Sequence, residues 1–207
     1  IKYRSDIWRY DGAEEPLRRM ANTNSNLYAY RFDWDEQNNS SFAGNYQLFV
    51  GAAHGLEIPF LTGDFDLGPI TFYIKPFMFP DDSDEGRLAL SDLMMTYWAN
   101  IAKYGNPNEF VKGPKWEKFT QENNQLLILD NPTANLVEMR TIPVSKDDLL
   151  SQIEADSALE IKERCLIGWI AARNFQEDAR PQPPFNFCSN FTEEDLYKLR
   201  NLTEGRD

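Results

Sequence analysis

A chain of 207 residues is long enough for one large or two small domains at roughly 150 residues each, and its 42% hydrophobic and 14% aromatic content is that of a packed globular protein. With 21 Lys and Arg against 33 Asp and Glu the net charge is −12, and no basic run or stripe is present to neutralise a phosphate backbone, so nucleic acid is excluded as the expected partner. No stretch approaches the ~20 consecutive apolar residues of a membrane-spanning helix, and Ile1-Lys2-Tyr3-Arg4 is neither an initiator methionine nor a signal sequence, so the chain is expected to begin in mid-protein.

The first twenty residues set Ile7, Trp8, Leu17 and Met20 among charges, with Gly12 and Pro16 as interruptions, which predicts one or two short helices. After an Asn/Ser loop, residues 27–34 alternate aromatic with small or charged residues (Tyr28, Tyr30, Phe32, Trp34), the period of a strand, and lead into a polar loop at 35–44. Residues 48–53 are short and apolar, bounded by Gly51 and His54-Gly55, and read as an approach segment ending in a loop that presents His54. The Gly, Pro, Phe and Asp of 64–84 predict a long surface excursion. Residues 88–104 then carry Leu90, Leu93, Met94, Tyr97, Trp98 and Ile101 at helical spacing, stopped by Gly105-Asn106-Pro107. From 116 to 140 short β-like pieces, clearest at 126–129, predict a small meander. Ser145 with Asp148 has the spacing of a capping box opening a helical segment that runs to about Phe175, ended by Pro181–Pro184. Thr192-Glu193-Glu194-Asp195 begins a last short helix.

Two cysteines, Cys165 and Cys188, are too few for a disulfide framework and have no zinc-type spacing to the sole histidine. The acidic runs Asp64-Phe65-Asp66 and Asp81-Asp82-Ser83-Asp84-Glu85 lack the spacing of a calcium loop and read as solvated loops. Asn-x-Ser/Thr patterns at Asn38, Asn39, Asn190 and Asn201 and the cysteines both hint at an exported protein, secreted or periplasmic, against the competing reading that such patterns recur by chance in Asn-rich loops. The aromatics Phe72, Tyr73, Phe77, Met78 and Phe79 read either as the wall of a substrate gorge or as a satellite core.

The residues around His54, Gly51-Ala52-Ala53-His54-Gly55-Leu56-Glu57-Ile58-Pro59-Phe60, resemble the catalytic-histidine segment of the type-B carboxylesterase and cholinesterase family. The family's next landmark also has its likeness here, in Leu90-Ser91-Asp92-Leu93-Met94-Met95-Thr96-Tyr97-Trp98-Ala99-Asn100 followed by Ala102-Lys103-Tyr104-Gly105-Asn106-Pro107-Asn108. Upstream, Tyr28-Ala29-Tyr30-Arg31-Phe32 resembles the strand before the histidine loop, and Trp116 and the 126–129 strand follow the same plan, so the resemblance covers roughly residues 3–169. It implies an α/β fold in which 1–207 are the C-terminal part of a single α/β-hydrolase domain, a mixed sheet with covering helices. It implies that His54 is the general base and acid of a serine esterase, a role suited to an imidazole that titrates near neutrality. Glu57 is similar to a family glutamate buried near the site, with an ordinary buried, hydrogen-bonded acid as the equal alternative. Arg164-Cys165-Leu166-Ile167-Gly168-Trp169 resembles the family's final helix, whose cysteine pairs with an upstream one that this chain lacks; pairing of Cys165 with Cys188 stands as a hypothesis.

No Gly-x-Ser-x-Gly elbow occurs, and the α/β-hydrolase order is serine, acid, histidine. Serine and acid are therefore expected on a segment before Ile1, which makes that N-terminal segment, or a chain bearing it, the principal partner. A small carboxylic ester is the expected substrate, with no metal and no organic cofactor. The rival expectation is a non-catalytic cholinesterase-like binding or adhesion module, since this fold also serves in adhesion.

Overall fold

The aromatic run that alternates at 27–34 supplies one edge of a three-stranded mixed sheet in the computed structural model, which describes residues 2–37, 50–66, 68–141, 145–174 and 185–204. In chain order the helices are α1 (Lys2–Arg9), α2 (Glu15–Ala21), α3 (Glu57–Thr62), α4 (Thr71–Met78), α5 (Asp84–Tyr104), α6 (Lys146–Ala155), α7 (Ile161–Asn174) and α8 (Glu193–Glu204), and the strands are β1 (Tyr30–Phe32), β2 (Gln125–Leu129) and β3 (Glu138–Thr141). These elements sort into two units, one of residues 24–142 and one of residues 1–23 with 143–207.

In the 24–142 unit β2 is central, parallel to β1 with Tyr30 opposite Leu127, and antiparallel to β3 with Leu127 opposite Met139. Its sequence, Gln-Leu-Leu-Ile-Leu, has no alternation and its last four residues are buried, as a strand covered on both faces requires. Only three residues of the expected 27–34 strand pair regularly. The flanks hold on by single bonds: Phe119 N–H donates to Leu27 O at 2.9 Å, the Trp116 indole donates to Ala29 O at 2.9 Å, and Asp33 N–H donates to Leu129 O at 2.9 Å. The expected meander is one hairpin, β2 to β3, turned by a 3-10 segment at Pro132–Ala134 that Asn131 caps. Residues 116–124 give no strand; Trp116 and Phe119 are instead buried wedges.

Helix α5 begins earlier than the apolar spacing predicted, at Asp84, because Asp84 and Glu85 favour the positive end of its dipole. The acidic run 81–85 is thus a 3-10 turn and a helix start, correcting its reading as a solvated loop. The helix stops where expected, at Gly105 with φ 67°, whose N–H donates to Ile101 O at 2.9 Å. Its buried face, Leu90, Met94 and Tyr97, packs with Trp34, Phe60, Phe79, Trp116, Leu127 and Leu129 in one cluster. The 64–84 excursion is also corrected. It contains α4 and two 3-10 turns, and its Phe79 is 1% exposed in the core, while Tyr73 remains 72% exposed.

In the other unit α1 and α2 are joined by a π-helical turn, Tyr10–Glu14, so residues 2–21 form one uninterrupted helical run. Gly12 and Pro16 do not break it, contrary to expectation. Pro16 falls in the first turn of α2, where its missing N–H costs little. The single helix expected from 145 to 175 is two helices. Ser145 and Asp148 form the capping box, with Asp148 N–H donating to Ser145 Oγ at 3.0 Å and Ser145 N–H to Asp148 Oδ2 at 3.1 Å. The break comes at Asp156, whose carboxylate accepts Ala158 N–H at 3.0 Å and the Tyr3 hydroxyl at 2.7 Å, drawing the chain out of the helix. Burial, then Asp156, pushes the Tyr3 phenol up to about 12. Pro181–Pro184 lies outside the described residues.

Cys165 and Cys188 are joined by a disulfide, both fully buried, which pins the 3-10 turn Asn186–Cys188 to α7. Closing a loop of 23 residues' separation restricts the unfolded chain by about 3 kcal/mol on the chain-entropy account. The double substitution Cys165→Ala, Cys188→Ala in the full-length protein is therefore expected to lower the unfolding free energy by about that amount, read from urea unfolding as a lower midpoint with a slope that rises as the released chain expands.

Candidate functional site

His54 sits in a tight turn of the 24–142 unit. The turn closes with Leu56 N–H donating to Ala53 O at 3.2 Å, and runs directly into α3, where Ile58 N–H donates to Gly55 O at 3.3 Å. Gly55 has φ 87° and Gly51 φ 50°, both in the left-handed region that glycine enters without a Cβ penalty, so the two glycines that bracket His54 are conformational requirements. On the upstream side the buried Gln37 donates its Nε2 to Gly51 O at 2.9 Å. Downstream, Phe60 of α3 is 0% exposed, with ring centroids 5.2 Å from Phe32, 5.2 Å from Trp34 and 5.1 Å from Phe65. Its carbonyl accepts the buried Ser91 hydroxyl of α5 at 2.8 Å. The imidazole itself is exposed, on a backbone anchored to the core six residues later.

Glu57 is half-buried at the first position of α3, where a carboxylate suits the helix dipole. It stands near Tyr30 of β1: burial raises the Tyr30 phenol first, and the Glu57 carboxylate raises it further. Tyr30 in turn meets Trp98 edge-to-face at 5.0 Å. Tyr30, which from sequence is only a strand residue, thus stands within electrostatic reach of Glu57. The approach segment 48–53 is described only from Val50 onward, and Asn38 and Asn39 lie outside the described residues.

A second polar feature of this unit is a cleft of about 340 Å³ lined by Glu36, Gln37, Asp82, Ser83, Glu85 and Asn131 among others. Its acidic lining disfavours anions. At the end of β2 near it, the Asp130 carboxyl is pushed up to about 6, by burial first and by the neighbouring Asp35, Asp33 and Glu36 carboxylates, against the Asn131 N–H that donates to it at 2.7 Å. A carboxyl raised in the folded state binds its proton more tightly there than in the unfolded chain, so stability falls as pH rises from about 4 through about 6. Asp130→Asn keeps the acceptor for Asn131 and is expected to raise the melting temperature at pH 7.5 while leaving it unchanged at pH 4; equal shifts at both would show that ionisation is not the cause. Among the described residues no group of three or more His, Cys, Asp or Glu is arranged to hold a metal ion, and no helix is long and apolar enough to cross a membrane.

Compared with known proteins, residues 2–146 match the model of the carboxylesterase family. The match stops short of the 147–169 stretch to which the resemblance had been extended. Acetylcholinesterase of Gallus gallus is 32% identical over 103 residues, 50% of this chain and 11% of that protein. Neuroligin-3 of Macaca mulatta is 40% identical over 68 residues, 33% of this chain and 30% of the relative, and neuroligin-3 of Homo sapiens is 40% identical over the same length, 7% of the relative. The matched stretches therefore span less than a third of each of these relatives.

Proposed function

Because the chain belongs to the carboxylesterase family, we propose that it is the C-terminal part of an α/β-hydrolase whose serine and acid lie on a preceding segment, and that His54 completes their triad. The imidazole takes the serine proton as the hydroxyl attacks the ester carbonyl, then returns it to the leaving alcohol, and repeats the cycle with water to release the acid. The observation that carries this reading is the tight turn that exposes His54 while Gly51, Gly55 and Phe60 tie its backbone to buried structure. A base so held needs little reorganisation in the transition state. In this reading Glu57 is the acid near the site, at the start of the helix that follows His54. The substrate is a small carboxylic ester, and neither metal nor organic cofactor enters the chemistry. The Cys165–Cys188 disulfide supports an exported protein, secreted or periplasmic, since a reducing cytosol keeps thiols free.

The test is intact-mass spectrometry of the native protein with p-nitrophenyl acetate turnover and fluorophosphonate labelling. Turnover together with one adduct on a serine N-terminal to this chain is the expected result. A second reading, a non-catalytic binding module, has the identity to neuroligin-3 behind it. Absence of both adduct and turnover in the full-length protein would favour that module.

A further inference from the structure

Downstream of the disulfide the chain turns once before α8, and this turn carries Asn190-Phe191-Thr192. We propose that Asn190 is the acceptor of an N-linked oligosaccharide, an inference that rests on the exported reading above. Asn190 is exposed, and its side-chain amide enters no hydrogen bond among the described residues. The turn is fixed at both ends. Phe191 N–H donates to Cys188 O at 2.9 Å on the disulfide side. Thr192 caps α8, its hydroxyl donating to Asp195 Oδ2 at 2.6 Å and accepting Asp195 N–H at 3.2 Å. A glycan on Asn190 leaves the buried surface untouched and projects into solvent.

Asn201-Leu202-Thr203 has the same pattern but lies within α8. Residues 190–192 precede that helix. In the transfer the Asn190 amide nitrogen attacks the anomeric carbon of a lipid-pyrophosphate-linked oligosaccharide. A C–N bond forms as the anomeric C–O bond breaks, the lipid pyrophosphate leaves, and one amide proton is released.

Peptide mapping of the native full-length protein tests this, with glycan release by an amidase in ¹⁸O-water and with alkylation of free thiols in the same digest. The expected result is ¹⁸O-labelled Asp at position 190 in a peptide still linked through Cys165–Cys188. An unmodified Asn190 beside an intact disulfide overturns this inference and leaves the exported reading standing. An unmodified Asn190 with both thiols free overturns both. In the secreted protein, Asn190→Gln is expected to remove one glycan's mass and Asn201→Gln to remove none; the reverse pattern overturns the assignment.

Discussion

His54→Gln in the full-length protein is expected to lower kcat by about 10⁴-fold with KM changed by less than about threefold. On the proposed mechanism the loss falls on kcat, because the proton transfers assigned to the imidazole occur in the transition state and ester binding is assigned to pockets elsewhere. Stability is the internal control. His54 lies in an exposed turn, so the melting temperature, measured beside kcat, separates a kinetic loss from unfolding. Fluorophosphonate labelling is expected to slow along with kcat, since the same imidazole activates the serine toward phosphorus. A variant that retains turnover within tenfold of the parent would remove His54 from the mechanism and leave the binding-module reading in its place.

The parts of this molecule that were legible in sequence are those whose cause is local. Leu90, Met94 and Tyr97 recur at helical spacing and Gly105 ends the helix by its own backbone freedom, so α5 could be read almost to its last residue. The capping box at Ser145 and the helix start after Thr192 are both satisfied within three residues of the cap and appear as expected. The turn that carries His54 was legible because its glycines stand beside it in the chain.

What was not legible depends on partners distant in sequence. Asp156 breaks a helical pattern because Tyr3, at the far end of the chain, donates to it. The strand read at 27–34 narrows to the three residues of β1, because only those lie alongside Leu127 to Leu129. Tyr30 and Asp130 gained their significance in the same way, from burial first and then from a glutamate on α3 in one case and from three neighbouring acids in the other. A different failure hid α4. Its Pro76 and its Gly- and Asp-rich flanks carry loop composition, and one short helix between 3-10 turns leaves too few residues for a period to show.

Phe60→Ala is expected to cost about 4 kcal/mol of stability and to lower kcat in the fraction that stays folded. The ring is 0% exposed and is ringed by Phe32, Trp34, Phe65 and Phe79, so its removal leaves a cavity that four aromatic neighbours cannot close by small shifts. The kinetic effect follows from the chain path. Phe60 anchors α3, α3 starts three residues after His54, and a looser helix lets the turn sample positions in which the imidazole no longer reaches a serine. Phe60→Leu refills most of the space and should recover more than half of the stability and most of kcat. Ser91→Ala removes only the hydroxyl that donates to the Phe60 carbonyl, leaving one buried acceptor unpaired at a cost of about 1 to 2 kcal/mol. The three variants, followed by urea unfolding and by ester turnover, should therefore rank together in stability and in kcat; a Phe60→Ala protein with full kcat would show that the histidine turn holds its shape without the helix behind it.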